Sequence, residues 1–347
     1  VIWTDVVQTL VLILGGIMIM VVIIMALPGG LMQIFEVALR DNKLSFSEMM
    51  PDGSLHPASW RFSLSEKTAL MMLLTGILGW IDQLAANQNV VQRYCAASST
   101  KEARKATWLT MFMSLPIWMY FAFIGTSLYV FFQVYPDGVA FDILTGANNA
   151  KAEEILPYFA LHYLPVGIAG LVVAAALAAA MSSLDSSINA ISTVTIVDIY
   201  KAYMVKDRDD AHYLRVAKWI AVVSSIIMIL GALVLVWTPT KTLQDTLAKI
   251  GGFIGGGLFI IFLLGLFTKI GNARSFFWGL AALYIFKIWV FIGTVGWIPI
   301  EYMPPVDLYY LGLTGEILGI AVCILVYYLG KRPERDLTGL TLWTSPW

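Results

Sequence analysis

The chain is expected to be an all-α polytopic membrane protein of about eight transmembrane helices, and three observations carry that expectation. The first is composition: the 347 residues are 59% hydrophobic and 13% charged, with a mean hydropathy of +0.77. Soluble globular proteins carry roughly 25% charged residues, so a water-soluble globule is excluded. The second is length: eight apolar segments each approach the ~20 residues that a bilayer requires. The third is the placement of Lys and Arg, which gather in alternate connections. The net charge of −1 names no partner, and nucleic acid is not expected among the partners.

In chain order the spans run roughly over 6–27, 68–90, 107–133, 165–198, 214–237, 250–268, 276–298 and 309–330. The fourth is too long for a bilayer and must include a tilted or extramembrane part. The connections after spans two, four, six and eight carry fourteen basic residues, from Arg93, Lys101 and Arg104 through Arg208 and Lys269 to Arg335. Seven others (Arg40, Lys43, Arg61, Lys67, Lys151, Lys241, Lys249) fall toward the opposite side, and Lys287 lies within a span. The bias places both ends of the chain in the cytoplasm, with residues 331–347 as a cytoplasmic tail. The connections 28–66 and 134–164 are then extracellular. The first contains Pro28, Gly29, Gly30, Pro51, Gly53 and Pro57. The second contains Pro136, Gly138, Gly146 and an amphipathic run from Glu153 to Tyr163, either a lid over a pathway or an ordinary surface helix.

Cys95 and Cys323 lie in or beside apolar segments and are expected to be small buried hydrophobes. His56, His162 and His212 are isolated in expected loops or helix ends, without the neighbours a metal site needs. Val1 is not an initiator Met, and the first span begins at once, as in a fragment that starts inside a larger fold.

The stretch Ala174 to Asp198, AAALAAAMSSLDSSINAISTVTIVD, organises the rest. It opens as an Ala, Leu and Val helix, then carries Ser182, Ser183, Asp185, Ser186, Ser187 and Asn189 into the membrane. An Asp at a helix centre costs from about 2.5 kcal/mol upward, so such groups face a partner or a wet cavity. At about 100° per residue, Ala179, Ser182, Ser183 and Ser186 share one narrow face, with Asp185 at its flank. Carbonyl, hydroxyl and carboxylate oxygens suit a small hard cation. A small-residue packing seam is the alternative, although packing has no need of Asp185.

Three other stretches stand out. Asp5 and Gln8 lie at one end of span one, where an Asp can also be a simple interface residue. Span two, GWIDQLAANQNVVQRY, sets Asp82, Gln83, Asn87, Gln88, Asn89 and Gln92 in an apolar helix. That density of amides implies a broken or water-lined helix, the kind of helix at which secondary transporters bind substrate. In span six, Gly251, Gly252, Gly255, Gly256 and Gly257 permit either close helix contact or a hinge.

Together VIWTDVVQ, NQNVVQRYCAASSTKEARKA, LPVGIAGLVVAAALAAAMSSLDSSINAISTV and FLLGLF resemble the sodium/solute symporter family, in this order and at similar spacing. The resemblance implies a LeuT-type fold of two inverted five-helix repeats, with binding sites near the bilayer midplane. Spans one to six would be core helices five to ten, spans seven and eight peripheral, and core helices one to four absent from this sequence. The whole of 1–347 would be one transmembrane transporter domain, truncated at its N-terminus.

The resemblance also implies site residues. One sodium would take the Ala179 carbonyl and the Ser182 and Ser183 hydroxyls. A second would take Asp5 with Ser182, Asp185 and Ser186. Asp185 departs from the usual Ser or Thr, so the two carboxylates would hold the cation more strongly, or one would hold a proton. The positions matching the sugar transporters' aromatic gate and Gln carry Gln83 and Ala248, which disfavours a sugar.

The expected function is therefore sodium-coupled symport of a small organic solute, with Na⁺ as the bound ion and the lipid bilayer as surroundings. A carboxylate, vitamin or similar anion is the favoured solute, with Trp80, Asp82, Gln83, Asn87 and Gln88 as its contacts. Arg93 and the helix from Thr100 to Ala106 are assigned a cytoplasmic anchoring role. A cation channel would use the same oxygens, and symport of sugars or amino acids is the other alternative. No GxGD, GxSG or HExxH motif supports a hydrolase, so an enzyme is not expected.

Overall fold

A computed structural model describes residues 2–45, 47–49, 55–145, 151–237, 243–294, 297–330 and 336–344. Pro51, Gly53, Gly146, Lys241, Lys331, Arg332 and Arg335 lie outside the described residues, as do the corresponding parts of the two expected outer loops and the tail. The first elements are α1 (Ile2–Ala26), α2 (Gly30–Arg40), β1 (Ser47–Met49) and β2 (Leu55–Pro57). They are followed by α3 (Ala69–Ala85), α4 (Gln88–Cys95), α5 (Thr100–Val134), α6 (Gly138–Thr145) and α7 (Ile155–Tyr163). Next come α8 (Val166–Val194), continued by a π-helix over Thr195–Met204, and α9 (Asp210–Trp237). The chain closes with α10 (Leu243–Ile254), α11 (Leu258–Phe267), α12 (Ala273–Thr294) and α13 (Leu311–Leu329).

Among the described residues, six helices are long and apolar enough to cross a membrane, or up to eight spans when two bent pairs each count as one. The expected spans are all present, with different bounds. The fourth is longer than expected, running through the π-helix to Met204 over 39 residues.

The second span is broken as its amides implied: α3 and α4 bend by 44°. Asn87 causes the break. Its backbone is extended, and its Oδ1 accepts the Asn89 N–H at 2.9 Å, capping α4 in place of continuing the ladder. The sixth span is also broken, by 58° between α10 and α11. Gly256 and Gly257 there have φ of +92° and +87°, a region that side chains with a Cβ avoid. Both readings of these glycines hold: Gly256 and Gly257 form the break, while Gly252 allows close approach, with a Cβ there 3.4 Å from the Leu308 carbonyl oxygen.

Contacts divide the chain into two compact units, 1–45 with 101–242 and 46–100 with 243–347. In the first, α1 and α8 pack antiparallel at close range: a Cβ on Gly15 would lie 2.8 Å from that of Ala175. An aromatic cluster closes one end, with the Phe131 and Phe159 rings 5.0 Å apart and Phe159 stacked on Tyr163 at 5.7 Å. Beside it, Asp137 caps α6 through the Val139 and Ala140 N–H groups and accepts the Tyr158 and Tyr163 hydroxyls. Led by Tyr163, these donors hold its carboxyl down to about 2. The Glu153–Tyr163 run packs through buried Ile155, Phe159 and Ala160 and leaves Glu153, Glu154 and Leu161 exposed, as an ordinary surface helix does.

The second unit packs α12 on α13 around Ile260, Leu264, Leu283 and Cys323. A Cβ on Gly279 would lie 2.8 Å from the Gly319 carbonyl oxygen, so the helices approach through glycines. Cys323 is buried as expected, whereas Cys95, expected to be buried, is exposed at the end of α4. That helix has no buried residue, so no apolar neighbour covers the thiol. Two features of the 28–66 connection went unanticipated. One is α2, which buries Ile34 and Ala38; the other is the short antiparallel β1–β2 hairpin that carries His56.

Candidate cation site

Asp5 lies in the first turn of α1, and Ser182 lies a little past the middle of α8. The antiparallel packing that brings Gly15 to Ala175 also brings this pair together: Ser182 Oγ donates to Asp5 Oδ1 at 2.9 Å. Both residues are half-buried. One turn before Ser182, the Ala179 carbonyl, within the helix ladder, also receives the Ser183 hydroxyl in a long contact of 3.4 Å. Ser183 and Asp185 are exposed and Ser186 is half-buried, all on α8 beyond Ser182. One turn after Asp5, the buried Gln8 Oε1 has no hydrogen-bond partner. A buried acceptor left open is costly and marks a place where a donor or cation fits.

These donors fit a sodium ion. All are hard oxygens, and the single carboxylate of the Asp5–Ser182 contact matches a single positive charge. The structure thus joins Asp5 to Ser182 and Ala179 to Ser183. Gln8 is an addition: the sequence paired it with Asp5 but gave it no role.

The expected solute residues belong to the second unit and surround the break between α3 and α4. Trp80 and Gln83 are exposed, and Asp82, Asn87 and Gln88 are half-buried. Gln83 Oε1 accepts Asn87 Nδ2 at 2.9 Å, and Asn87 also caps α4. These two amides are therefore already engaged in shaping the break. Trp80, Asp82 and Gln88 have no such role. Two charged residues without an assignment, Lys287 and Glu316, are buried in the last two spans at 0% and 7% exposure. Their signal in the sequence is charge within an apolar segment, which Glu316 shares with Lys287.

Apolar spans broken at two places, with a carboxylate–hydroxyl contact between two other long apolar helices, define a helical membrane protein. Residues 1–282 match the sodium:solute symporter family, and the chain belongs to that family. It is 32% identical over 275 residues to the sodium/sialic acid symporter SiaT of Proteus mirabilis, covering 79% of this chain and 52% of that protein. It is 30% identical over 306 residues to the sodium/glucose cotransporter of Vibrio parahaemolyticus, covering 84% and 53%. A solved structure of a Na⁺-coupled sialic acid symporter, in a substrate-bound outward-open state described as revealing a novel Na⁺ site, matches with a TM-score of 0.74. It is 28% identical, and the match covers 97% of this chain and 63% of that one. The chain spans about half the length of the curated relatives it matches.

Proposed function

We propose that the protein is a sodium-coupled symporter of a small organic solute carrying a carboxylate. The observation that carries this reading is the Asp5–Ser182 contact between α1 and α8, set in a chain of this family. One sodium is held by the Ala179 carbonyl and the Ser182 and Ser183 hydroxyls. A second is held by Asp5, Ser182, Asp185 and Ser186. Sodium entering down its gradient drives solute uptake, and the membrane potential adds roughly 2.3 kcal/mol per charge per 100 mV. Trp80, Asp82 and Gln88 contact the solute, with Gln83 and Asn87 shaping its site.

Two considerations favour a carboxylate over a sugar. Sialic acid, the solute named for the first relative above, is itself a carboxylate. Gln83 and Ala248 also occupy the positions at which the family's sugar carriers hold an aromatic gate and a Gln. The screen that tests this is uptake by proteoliposomes of the full-length protein, offered labelled carboxylates, vitamins, amino acids and sugars. Saturable, sodium-dependent uptake confined to carboxylates and vitamins is expected. Uptake of sugars or amino acids alone would overturn the solute class, and large unitary currents without saturable uptake would indicate a channel.

Residues 1–347 form one transporter domain in the bilayer, with 28–66 and 134–164 outside and 331–347 in the cytoplasm. In a Cys95→Ser background, Ala152→Cys should react with a membrane-impermeant thiol reagent in whole cells. Lys206→Cys should react only after permeabilisation. The opposite labelling would invert the orientation.

A further inference from the structure

Lys287 and Glu316 flank the break between α10 and α11, all within the second unit. The Lys287 ammonium donates to the Gly255 carbonyl, at the end of α10. The Gly257 N–H, which opens α11, donates to Glu316 Oε1 at 2.8 Å. A helix carries roughly half a negative charge at its C-terminus and half a positive charge at its N-terminus. Each buried side chain therefore meets the helix end of opposite sign. Between them sits Gly256, where a Cβ would collide with Glu316 Oε1 and come within 3.1 Å of Lys287 Nζ. Tyr284 adds long contacts of 3.4 Å to the Ile254 and Gly256 carbonyls. Asp82 lies within electrostatic reach of both charges.

Charges at this depth are costly unless they are paired, and removing one partner leaves the other uncompensated. A helix running unbroken through 255–257 would use the Gly255 carbonyl and the Gly257 N–H in its own ladder. Both charges would then lose those partners. The charges thus stabilise the broken form selectively.

We propose that Lys287 and Glu316 are a clamp: positioning residues that hold the α10–α11 span broken and so set the rate of the conformational step in transport. The second half of this statement rests on the symport reading above. Neither residue belongs to the sets assigned to sodium or solute.

The test uses the full-length protein with Glu316→Gln, Lys287→Met and the exchanged pair Lys287→Glu with Glu316→Lys. Amide hydrogen exchange at 254–258 is read beside uptake kinetics. Each single variant should raise exchange at Gly257 by more than about tenfold, with 276–290 in α12 as in the parent. Maximal uptake should fall by a similar factor while half-saturating sodium moves less than about twofold. The exchanged pair keeps opposite charges but sets each at the wrong helix end, so it should not restore uptake. Rescue by the exchanged pair would reduce the clamp to an ordinary ion pair and overturn the proposal. Unchanged exchange at the break would overturn it too, as would exchange rising equally through α12 and α13, the mark of a general folding requirement. Absence of sodium-driven uptake in the parent, with the exchange response as expected, would remove the symport reading and leave the clamp in place.

Discussion

Replacing Ser182 and Ser183 together by Ala in the full-length protein should raise the sodium concentration that half-activates uptake by more than about tenfold. Two hydroxyl ligands vanish at once, and interactions of neutral donors and acceptors with a charge contribute about 1.5 to 3 kcal/mol each. Tenfold corresponds to about 1.4 kcal/mol, so even partial compensation by water leaves the effect measurable. Ser182 also donates to Asp5, and its loss leaves that carboxylate short of a partner at 2.9 Å. Thr193→Ala is the control. That hydroxyl bonds back to the Asn189 carbonyl at 2.8 Å on the same helix and belongs to neither sodium set. A double Ser variant whose sodium curve matched that of Thr193→Ala would show that these hydroxyls do not hold the ion.

Neutralising the carboxylates should separate the two sodium ions. Asp185→Asn is expected to lower the Hill coefficient for sodium toward one or to change the pH dependence of activation, with solute uptake still present. Asp5→Asn should have the larger effect, because Asp5 is half-buried and bonded to a serine shared by both sets, whereas Asp185 is exposed. Sodium activation is measured for both variants at acidic, neutral and alkaline pH. If neither curve moved at any pH, the second site would have to be abandoned. A shift for Asp5→Asn alone would confine it to Asp5, Ser182 and the neutral oxygens.

The parts of this fold that could be read from the sequence are those where a polar group sits at a cost. Asp5, the serines of α8 and the amides of α3 and α4 stand out because apolar surroundings make each one expensive. The same reasoning leads to a broken or water-lined second span, and the structure locates the break at Asn87, whose side chain competes with the helix ladder. It could not decide the glycines at 255–257, since a missing Cβ serves close packing and a hinge equally. What decides them is a pair of charges thirty and sixty residues later in sequence. Cys95 was misjudged because its neighbours in sequence are apolar while α4 buries none of its residues. Helix α2 and the β1–β2 hairpin are not legible in the sequence because short elements carry little periodic signal beside long apolar spans.

The most direct test of the account is solute accumulation in proteoliposomes of the full-length protein under an inward sodium gradient, compared with a potassium gradient of equal ionic strength. The expected result is transient accumulation above equilibrium with sodium alone, abolished by a sodium ionophore and increased by an inside-negative potential. Equal uptake under the two gradients, or uptake that never exceeds equilibrium, would contradict sodium-coupled symport.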